Sequence, residues 1–256
     1  MILEINAQTL IATSNSSVAT ANHNQRKIVR DSSDNIYIVF VDSSNNENVI
    51  KGVVFDKIAE QWNQVSITNG NNPTLYVDKN GKIHLVFESN NYTTRIMHSS
   101  SMDFSNWTSN IVLSDTATKS EHPVADIDSA GNLNLFWIQE NSSSNESLIY
   151  AYINSDTLVE SKSVTTKNEI NDIAIANHLL FFRNELFFAI QFNQDSLQFF
   201  RSLDNISTFD TIYSITGSQP CITFNSTIPV GYYYEENMIR LLYLNNNCFV
   251  RWHRVC

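Results

Sequence analysis

The chain has few basic residues, few glycines and prolines, and little cysteine. Lysine and arginine number 16 against 26 aspartates and glutamates, which gives a formal net charge of −10, and the cations are scattered along the chain. Because a nucleic-acid backbone is bound by clustered lysine and arginine, nucleic acid is excluded as a partner. With only 6 glycines and 4 prolines, collagen-like chains and proline-rich linkers are excluded as well.

Long apolar runs are also missing. No stretch approaches the roughly 20 apolar residues that a transmembrane helix requires, so no membrane span is predicted. The N-terminal residues Met1–Asn6 lack the basic region and apolar stretch of a secretory signal peptide. The protein is therefore either cytoplasmic or the trimmed form of a secreted protein.

The three cysteines, Cys221, Cys248 and Cys256, cannot all pair within the chain. A disulfide between Cys221 and Cys248 is one possibility, but the odd count favours reduced thiols. None of them has a neighbouring His and Asp motif that would indicate a nucleophile, so they are expected to be small buried side chains.

What the chain does contain is a repeat. A hydrophobic segment of one pattern recurs about every 50 residues, and a period of roughly 40–50 residues with four short strands per unit is the signature of a β-propeller. The five copies are Ile36–Phe40, Ile83–Phe87, Leu133–Trp137, Leu186–Ile190 and Ile239–Tyr243. The repeat covers nearly the whole chain, so one all-β domain over residues 1–256 is predicted.

The second repeat shows the proposed unit most clearly. Pro73–Val77 and Ile83–Glu88 alternate apolar and polar residues and are separated by a turn that contains Asn80-Gly81, the strongest short-range hairpin signal. A third strand follows at Arg95–Ser99 and a fourth at Trp107–Ser114. The predicted blades therefore cover about 22–68, 69–114, 115–165, 166–216 and 217–256.

The last repeat differs from the others because it ends early. Pro229–Glu235, Met238–Leu244 and Phe249–Val255 are predicted as its first three strands, which leaves the fourth position empty. An N-terminal strand over 2–13 would fill that position, close the ring and cover an exposed strand edge. A sixth, degenerate blade in Thr216–Pro229 is the alternative, but it is short of residues.

In the fourth repeat, Phe187 and Phe188 are adjacent on one strand. Successive side chains on a strand point to opposite faces of the sheet. We therefore expect this blade to be buried on both faces.

The loops after the third strands carry an aspartate. Ser202–Phe209 has the spacing of the Asp box, Ser-x-Asp-x-Gly-x-x-Trp, and Ser101–Trp107 is one residue shorter. Asp56 and Asp156 occupy equivalent loops. Over nearly its whole length the chain resembles the sialidase-like, Asp-box propeller superfamily. The resemblance implies that Asp56, Asp103, Asp156 and Asp204 stabilise turns on the face away from the active site.

Sialidase activity is not expected from this resemblance. Sialidases use three arginines, a Tyr–Glu pair and an acidic Asp on six blades, and no Arg-Ile-Pro-type motif occurs near Arg26 or Arg30. Five-bladed propellers that cleave arabinans and xylans need two carboxylates roughly 6.5–9.5 Å apart for inversion. At the starts of the innermost strands, Glu121 and Asp172 are the carboxylates that could serve.

Those strand starts form the predicted site, because all five converge on the central axis. Amides offer both hydrogen-bond donors and acceptors, which suits sugar hydroxyls or a peptide backbone. Pro73, Pro123 and Pro220 would hold these residues in place. The predicted ligand-binding residues are Asn24, Gln25, Asn71, Asn72, Glu121, His122, Asn171, Asp172 and Gln219.

No metal or cofactor is predicted. The six histidines are spread over the repeats without ligand spacing such as His-x-x-x-His, and His84 and His98 are expected to face solvent or a neighbouring sheet. Two functions are predicted, a non-catalytic propeller that binds a carbohydrate or protein surface around the central channel, and a glycoside hydrolase that uses Glu121 and Asp172. A purely structural module within a larger assembly is a third alternative. The oligomeric state is left open.

Overall fold

The protein is all-β. The computed structural model describes residues 10–21, 24–44, 47–90, 93–128, 130–141, 145–177, 186–193, 195–202, 208–225, 228–236, 238–245 and 248–251. Within these residues there is no helix, and hence no helix long and apolar enough to cross a membrane.

In the described residues, twenty strands form five four-stranded sheets. Blade 1 holds β1 Ile28–Arg30, β2 Ile36–Ser44, β3 Glu47–Asp56 and β4 Gln61–Asn69. Blade 2 holds β5 Asn71–Val77, β6 Ile83–Glu88, β7 Ile96–Ser101 and β8 Ile111–Val112. Blade 3 holds β9 Ser120–Ile127, β10 Leu133–Glu140, β11 Glu146–Asn154 and β12 Thr157–Lys167. Blade 4 holds β13 Ile170–Asn177, β14 Leu186–Phe192, β15 Ser196–Ser202 and β16 Asp210–Thr216. Blade 5 holds β17 Ser218–Asn225, β18 Ile228–Glu235, β19 Met238–Asn245 and β20 Cys248–Arg251.

Each sheet is an antiparallel meander in which the strands lie in chain order. Five such sheets in succession are the architecture of a five-bladed propeller, which confirms the fold predicted from the repeat. In every blade, the first strand begins at the same end of the sheet at which the second strand ends and the third begins. We call this end the strand-start face and the other the opposite face.

A recurrent turn on the opposite face joins the first two strands in three blades. Asp31, Asp78 and Asp128 each accept backbone N–H groups two and four residues further on, at 2.8–2.9 Å. Aspartate favours such turns because its side chain replaces a backbone hydrogen-bond partner. The sequence repeat thus includes the aspartate that stabilises this turn.

Neighbouring blades pack face to face through large side chains. Phe136 belongs to the core between blades 3 and 4, whereas the next residue, Trp137, belongs to the core between blades 2 and 3. Phe188 and Phe187 divide in the same way between the blade 3–4 and blade 4–5 cores. The prediction that blade 4 is buried on both faces is confirmed.

Blade 5 corrects the predicted strand order. Ser218–Asn225 is its first strand, so the segments predicted as first, second and third strands are its second, third and fourth. The same strand occupies the residues of the alternative sixth blade. Blade 5 therefore has four strands from its own sequence, and its fourth position is not empty.

The N-terminal segment contacts blade 1. Ser14 donates to the carbonyl of Val41 at 2.7 Å, and Val41 donates its N–H to Ala19 at 3.0 Å. Residues 14–19 thus lie beside β2, next to the short strand β1. The predicted closing strand over 2–13 falls mostly on residues 1–9, which lie outside the described part of the chain.

Two of the loop aspartates stabilise their own turns, as predicted. Asp56 accepts the N–H groups of Ile58 and Ala59, and Asp103 accepts those of Ser105 and Asn106. For Asp156 the prediction is wrong. Its carboxylate leaves its own turn and contacts Lys82 and Ser100 of blade 2. Asp204 lies outside the described residues.

Candidate functional site

The inner strands share a backbone irregularity at the predicted site. Asn72, His122 and Gln219 have φ between 46° and 55°, and each directly precedes a proline. The pairing register shifts at each of these positions, which marks a β-bulge. A bulge leaves one residue out of the ladder and re-aims its side chain, and the following proline needs no ladder hydrogen bond there.

Two of these bulges are bonded to the preceding blade. Glu88, the last residue of β6, accepts the backbone N–H of His122 at 2.7 Å. Gln191, near the end of β14, accepts the backbone N–H of Gln219 at 2.8 Å. One side chain in each case fixes the inner strand of the next blade. The backbones of His122 and Gln219 are thereby held in position.

The segment that precedes β1 reaches three other blades. Asn24 donates to Asp172 of blade 4 at 2.9 Å, and Gln25 donates to the carbonyl of Pro123 of blade 3 at 3.1 Å. Lys27 donates to the carbonyl of Pro73 of blade 2 at 2.6 Å. Contacts with blades 2, 3 and 4 from four consecutive residues place this segment at the centre of the ring.

Lys27 and Glu88 are the electrostatically unusual pair of this region. Burial lowers the pKa of Lys27 to about 7, against the opposing effect of the Glu88 charge. Burial also raises the pKa of Glu88, although the Asn72 side chain and the His122 N–H act in the other direction. Buried groups with shifted pKa values are typical of functional sites. The sequence interpretation missed both residues.

The two carboxylates of the hydrolase hypothesis each have a partner within the protein. Glu121 lies 2.7 Å from the Lys119 ammonium. Asp172 accepts from Asn24 and from the backbone N–H of Ile173, both at 2.9 Å. Asn171 donates to Glu169 at 2.8 Å on the exposed side of the strand. The Asn24–Asp172 bond brings two predicted site residues together.

A cleft opens on the strand-start face between blades 1 and 2. Its volume is about 650 Å³, and we call it the amide cleft. It is lined by Glu47, Asn48, Thr68, Asn69, Asn71, Phe87, Ser89, Asn90, Thr94, Met97 and Asn110. Of the predicted binding residues, Asn71 lines it.

The amide cleft contains a hydrogen-bonded asparagine network. Asn48 donates to the Asn71 side-chain oxygen at 2.6 Å, and Asn71 donates to the Asn90 side-chain oxygen at 2.8 Å. The Asn90 side chain in turn donates to the backbone carbonyl of Asn48 at 2.6 Å. Three carboxamides are thereby held in fixed orientations at the mouth of a concave surface.

An equivalent cleft between blades 4 and 5 has different chemistry. It measures about 440 Å³ and includes Asp195, Tyr234, Glu235 and Glu236. Its position in the blade, between the end of a fourth strand and the start of the next first strand, matches that of the amide cleft. Carboxylates replace the asparagines, so the two clefts offer different partners to a ligand.

A second polar cluster lies away from the strand-start face. His84 and His98 are buried side by side in blade 2, with ring nitrogens 3.2 Å apart, and of the two predicted settings they face the neighbouring sheet rather than solvent. Burial lowers the pKa of both rings, to about 4 for His98. Asp156 of blade 3 lies 3.8 Å from His84. The sequence spacing gave no sign of this grouping because it needs a turn from the next blade.

No model of a known protein family matches the chain, and no curated protein matches it. Solved structures do resemble it. A Hadza microbial sialidase superposes with a TM-score of 0.62 at 8% identity over 88% of this chain and 57% of its own. A lectin from Burkholderia pseudomallei superposes with a TM-score of 0.61 at 10% identity, over 85% of this chain and 66% of the lectin. A mutant of Aleuria aurantia lectin in complex with Fucα1-6GlcNAc superposes with a TM-score of 0.57 at 12% identity, over 88% of this chain and 76% of the lectin.

At these identities the likeness shows the fold alone. The chain spans little more than half the length of the sialidase and about two thirds of the Burkholderia lectin. The structural neighbours include lectins, a sialidase and a xylosidase. The chain is thus a β-propeller that resembles proteins of carbohydrate binding and cleavage.

Proposed function

We propose that the protein binds a carbohydrate, without cleaving it, on the strand-start face of the propeller. The observation that carries the proposal is the asparagine network of the amide cleft. Each carboxamide has two N–H donors and two acceptor lone pairs. The bonds among Asn48, Asn71 and Asn90 use one N–H of each side chain and fix its orientation. Oriented amides in a concave site suit the hydroxyl groups of a sugar.

The shape of the site favours a small polar ligand over a protein surface. Protein partners usually bury about 800 Å² on each side across a broad contact, whereas small ligands bind in clefts of about 300–1,000 Å³. The amide cleft, at about 650 Å³, falls in the second class. Met97, which is half-buried, supplies apolar surface among the lining residues, which suits the C–H faces of a sugar ring. The ligand-binding residues predicted from the sequence, at the starts of the innermost strands, belong to the same face and extend the proposed site.

A glycan array followed by calorimetric titration of the strongest glycan tests the proposal. Asn71→Ala removes the middle of the network, and the loss of about 1–2 kcal/mol of hydrogen bonding should weaken binding roughly tenfold. Asn63→Ala is the matched control, because Asn63 is exposed on the outer strand β4 and does not line the cleft. Equal binding by wild type and Asn71→Ala would place the site elsewhere. An array without any bound glycan would defeat the proposal.

Hydrolysis by Glu121 and Asp172 is the alternative function, and the same samples test it. Reducing sugar released from mixed polysaccharides, and lost in both Glu121→Gln and Asp172→Asn, would replace the binding proposal with a hydrolase. We favour binding because both carboxylates are engaged by Lys119 and Asn24. A general acid and a nucleophile or base must instead flank the scissile bond.

We also propose that Ser101–Trp107 is a shortened Asp box. Asp103 accepts two backbone N–H groups of its turn, and the Trp107 indole donates to the Phe104 carbonyl at 3.0 Å. These bonds support a relationship with the sialidase-like propellers at the level of turn structure.

A further inference from the structure

We propose that His84, His98 and Asp156 form a binding site for a divalent transition-metal ion of the Zn²⁺ type between blades 2 and 3. The site is independent of the proposed carbohydrate site. His84 lies on β6 and His98 on β7, and Asp156 lies in the β11–β12 turn of the next blade. An ion held there would cross-link two neighbouring blades.

The strand register presents both histidines to the same side. His84 pairs with Ser100, and His98 precedes Ser100 by two residues, so both rings point from the same face of blade 2. Blade 3 packs on that face, since Val86, two residues after His84, belongs to the blade 2–3 core. The position of Asp156 against the two rings follows from this packing.

The spacing of the ligand atoms fits a tetrahedral ion. One nitrogen from each ring and one oxygen of Asp156 lie within 4.8 Å of one another. The His84 Nδ1 and His98 Nε2 atoms are 3.2 Å apart. Zn–N distances of 2.0–2.1 Å in tetrahedral geometry separate two nitrogens by roughly 3.3 Å. The Asp156 oxygen lies 3.8 Å from His84 Nδ1, so a small side-chain adjustment brings it into the same coordination sphere.

An unpartnered buried atom points to a ligand at this place. Asp156 Oδ1, one of the proposed ligand atoms, is buried and has no hydrogen-bond partner among the described residues. Leaving such atoms unsatisfied costs about 1–3 kcal/mol each. A metal ion would satisfy Asp156 Oδ1 directly. Imidazole and carboxylate together are a donor set typical of zinc.

The surroundings of His84 also fit a metal ligand. A metal-bound histidine usually directs its other ring nitrogen at a carboxylate. Asp78 Oδ2 lies 3.8 Å from His84 Nε2, on the far side of the ring from His98. Asp78 is itself fixed by the backbone N–H groups of Asn80 and Lys82. The side of Asp156 is partly open to solvent, at 24% side-chain exposure, which leaves a path for an ion and a water ligand.

Calorimetric titration of the full chain with ZnCl₂ tests the site. We expect one Zn²⁺ per chain, and a Co²⁺ complex with the visible absorption of a four-coordinate ion. Asp156→Asn should weaken Zn²⁺ binding at least about tenfold, because a ligand is lost where even outer-shell changes cost 10–100-fold. Zn²⁺ should raise the unfolding temperature of wild type more than that of Asp156→Asn.

Asp34→Asn is the matched control. Asp34 is also a turn aspartate with positive φ, 68° against 64° for Asp156, and it is also paired with a lysine, Lys57. Asparagine tolerates this backbone conformation, so both variants should keep their turns. His98→Gln, at the buried ligand, should abolish the Co²⁺ absorption. Absence of stoichiometric Zn²⁺ binding to wild type, or equal binding by wild type and Asp156→Asn, would overturn the proposal.

Discussion

At the residue scale, Lys27 is a side chain whose pKa is shifted strongly by burial. Its ammonium donates to Gln25 and to the Pro73 carbonyl, two neutral acceptors, at 2.8 and 2.6 Å. Burial lowers its pKa to about 7, and the Glu88 charge limits the shift. The unfolded chain therefore binds more protons than the folded chain between pH 7 and the usual lysine pKa of about 10.4. The contribution of Lys27 to stability rises with pH across that window.

Side-chain NMR measures this pKa directly. We expect the Lys27 resonance, assigned by its absence in Lys27→Met, to titrate near pH 7 in wild type. In Glu88→Gln the midpoint should fall further, because the charge that favours the ammonium is gone while an acceptor for the His122 N–H remains. A wild-type midpoint near pH 10, or an unchanged midpoint in Glu88→Gln, would contradict this account.

Such a residue could not be predicted from the sequence. Asn24 and Gln25 are identified by counting back from a predicted strand, because strand starts converge on the axis of any propeller. The properties of Lys27 and Glu88 depend on what surrounds them. Glu88 is buried because the inner strand of blade 3 lies across it, and its partner His122 is 34 residues away.

At the element scale, residues 14–19 take a place beside β2 that the short strand β1 leaves open. Asp42 joins this segment to blade 1, since it accepts the N–H of Asn15 at 2.8 Å and pairs with the Lys51 ammonium at 2.5 Å. The ion pair with Lys51 and the Asn15 N–H lower the pKa of Asp42 to about 2. The stabilisation is present above the usual aspartate pKa of about 3.9 and is lost as pH falls through about 2.

Hydrogen exchange resolves the docking of this segment residue by residue. In Asp42→Ala, we expect the amides of Asn15 and Val41 to exchange roughly tenfold faster, because a charge-assisted bond worth about 1–2 kcal/mol is lost. Asp42→Asn keeps an acceptor and should show a smaller change. The Val39 amide, which donates to the backbone carbonyl of Lys27 at 2.9 Å, is the internal control. Equal acceleration at Val39 would mean that the whole blade opens rather than this segment alone.

Strand order in blade 5 shows where pattern recognition fails. Met238–Asn245 contains Ile239–Tyr243, a copy of the segment that recurs in the second strands of the other blades, so the sequence favours it as a second strand. It is a third strand, because Ser218–Asn225 precedes it as the first strand, although Pro220 makes that segment atypical of a strand. Inner strands of this propeller carry bulges and prolines, which weaken the very signal that identifies a strand.

At the scale of the whole molecule, the repeat and the turn signals suffice to predict five four-stranded sheets and the face on which the inner strands begin. Contacts between blades cannot be predicted from these signals. The Asn71 network includes Asn48 of blade 1, and the cluster of His84 and His98 is completed by Asp156 of blade 3. Residues more than 20 positions apart meet in both cases, and no local pattern encodes the rotation between neighbouring blades.

The packing of blade 1 on blade 2 depends on a glycine and a phenylalanine. Phe104 is fully buried in a loop of blade 2 at φ 64°, and its ring lies 5.0 Å from Tyr37 and 5.6 Å from Trp107. A Cβ on Gly52 of β3 would lie 2.5 Å from Phe104 Cζ. The ring therefore fits between the blades only because residue 52 has no side chain.

Gly52→Ala should lower the free energy of unfolding by about 1–3 kcal/mol, the usual cost of overpacking a core. Phe104→Leu removes the Cζ and Cε1 atoms that the new methyl group would meet, so it should offset part of that loss in the double variant. A double-mutant cycle by urea unfolding measures the coupling, with Phe104→Leu alone as the reference. Additive losses would show that the alanine is accommodated elsewhere, and that the contact between Gly52 and Phe104 does not set the distance between the blades.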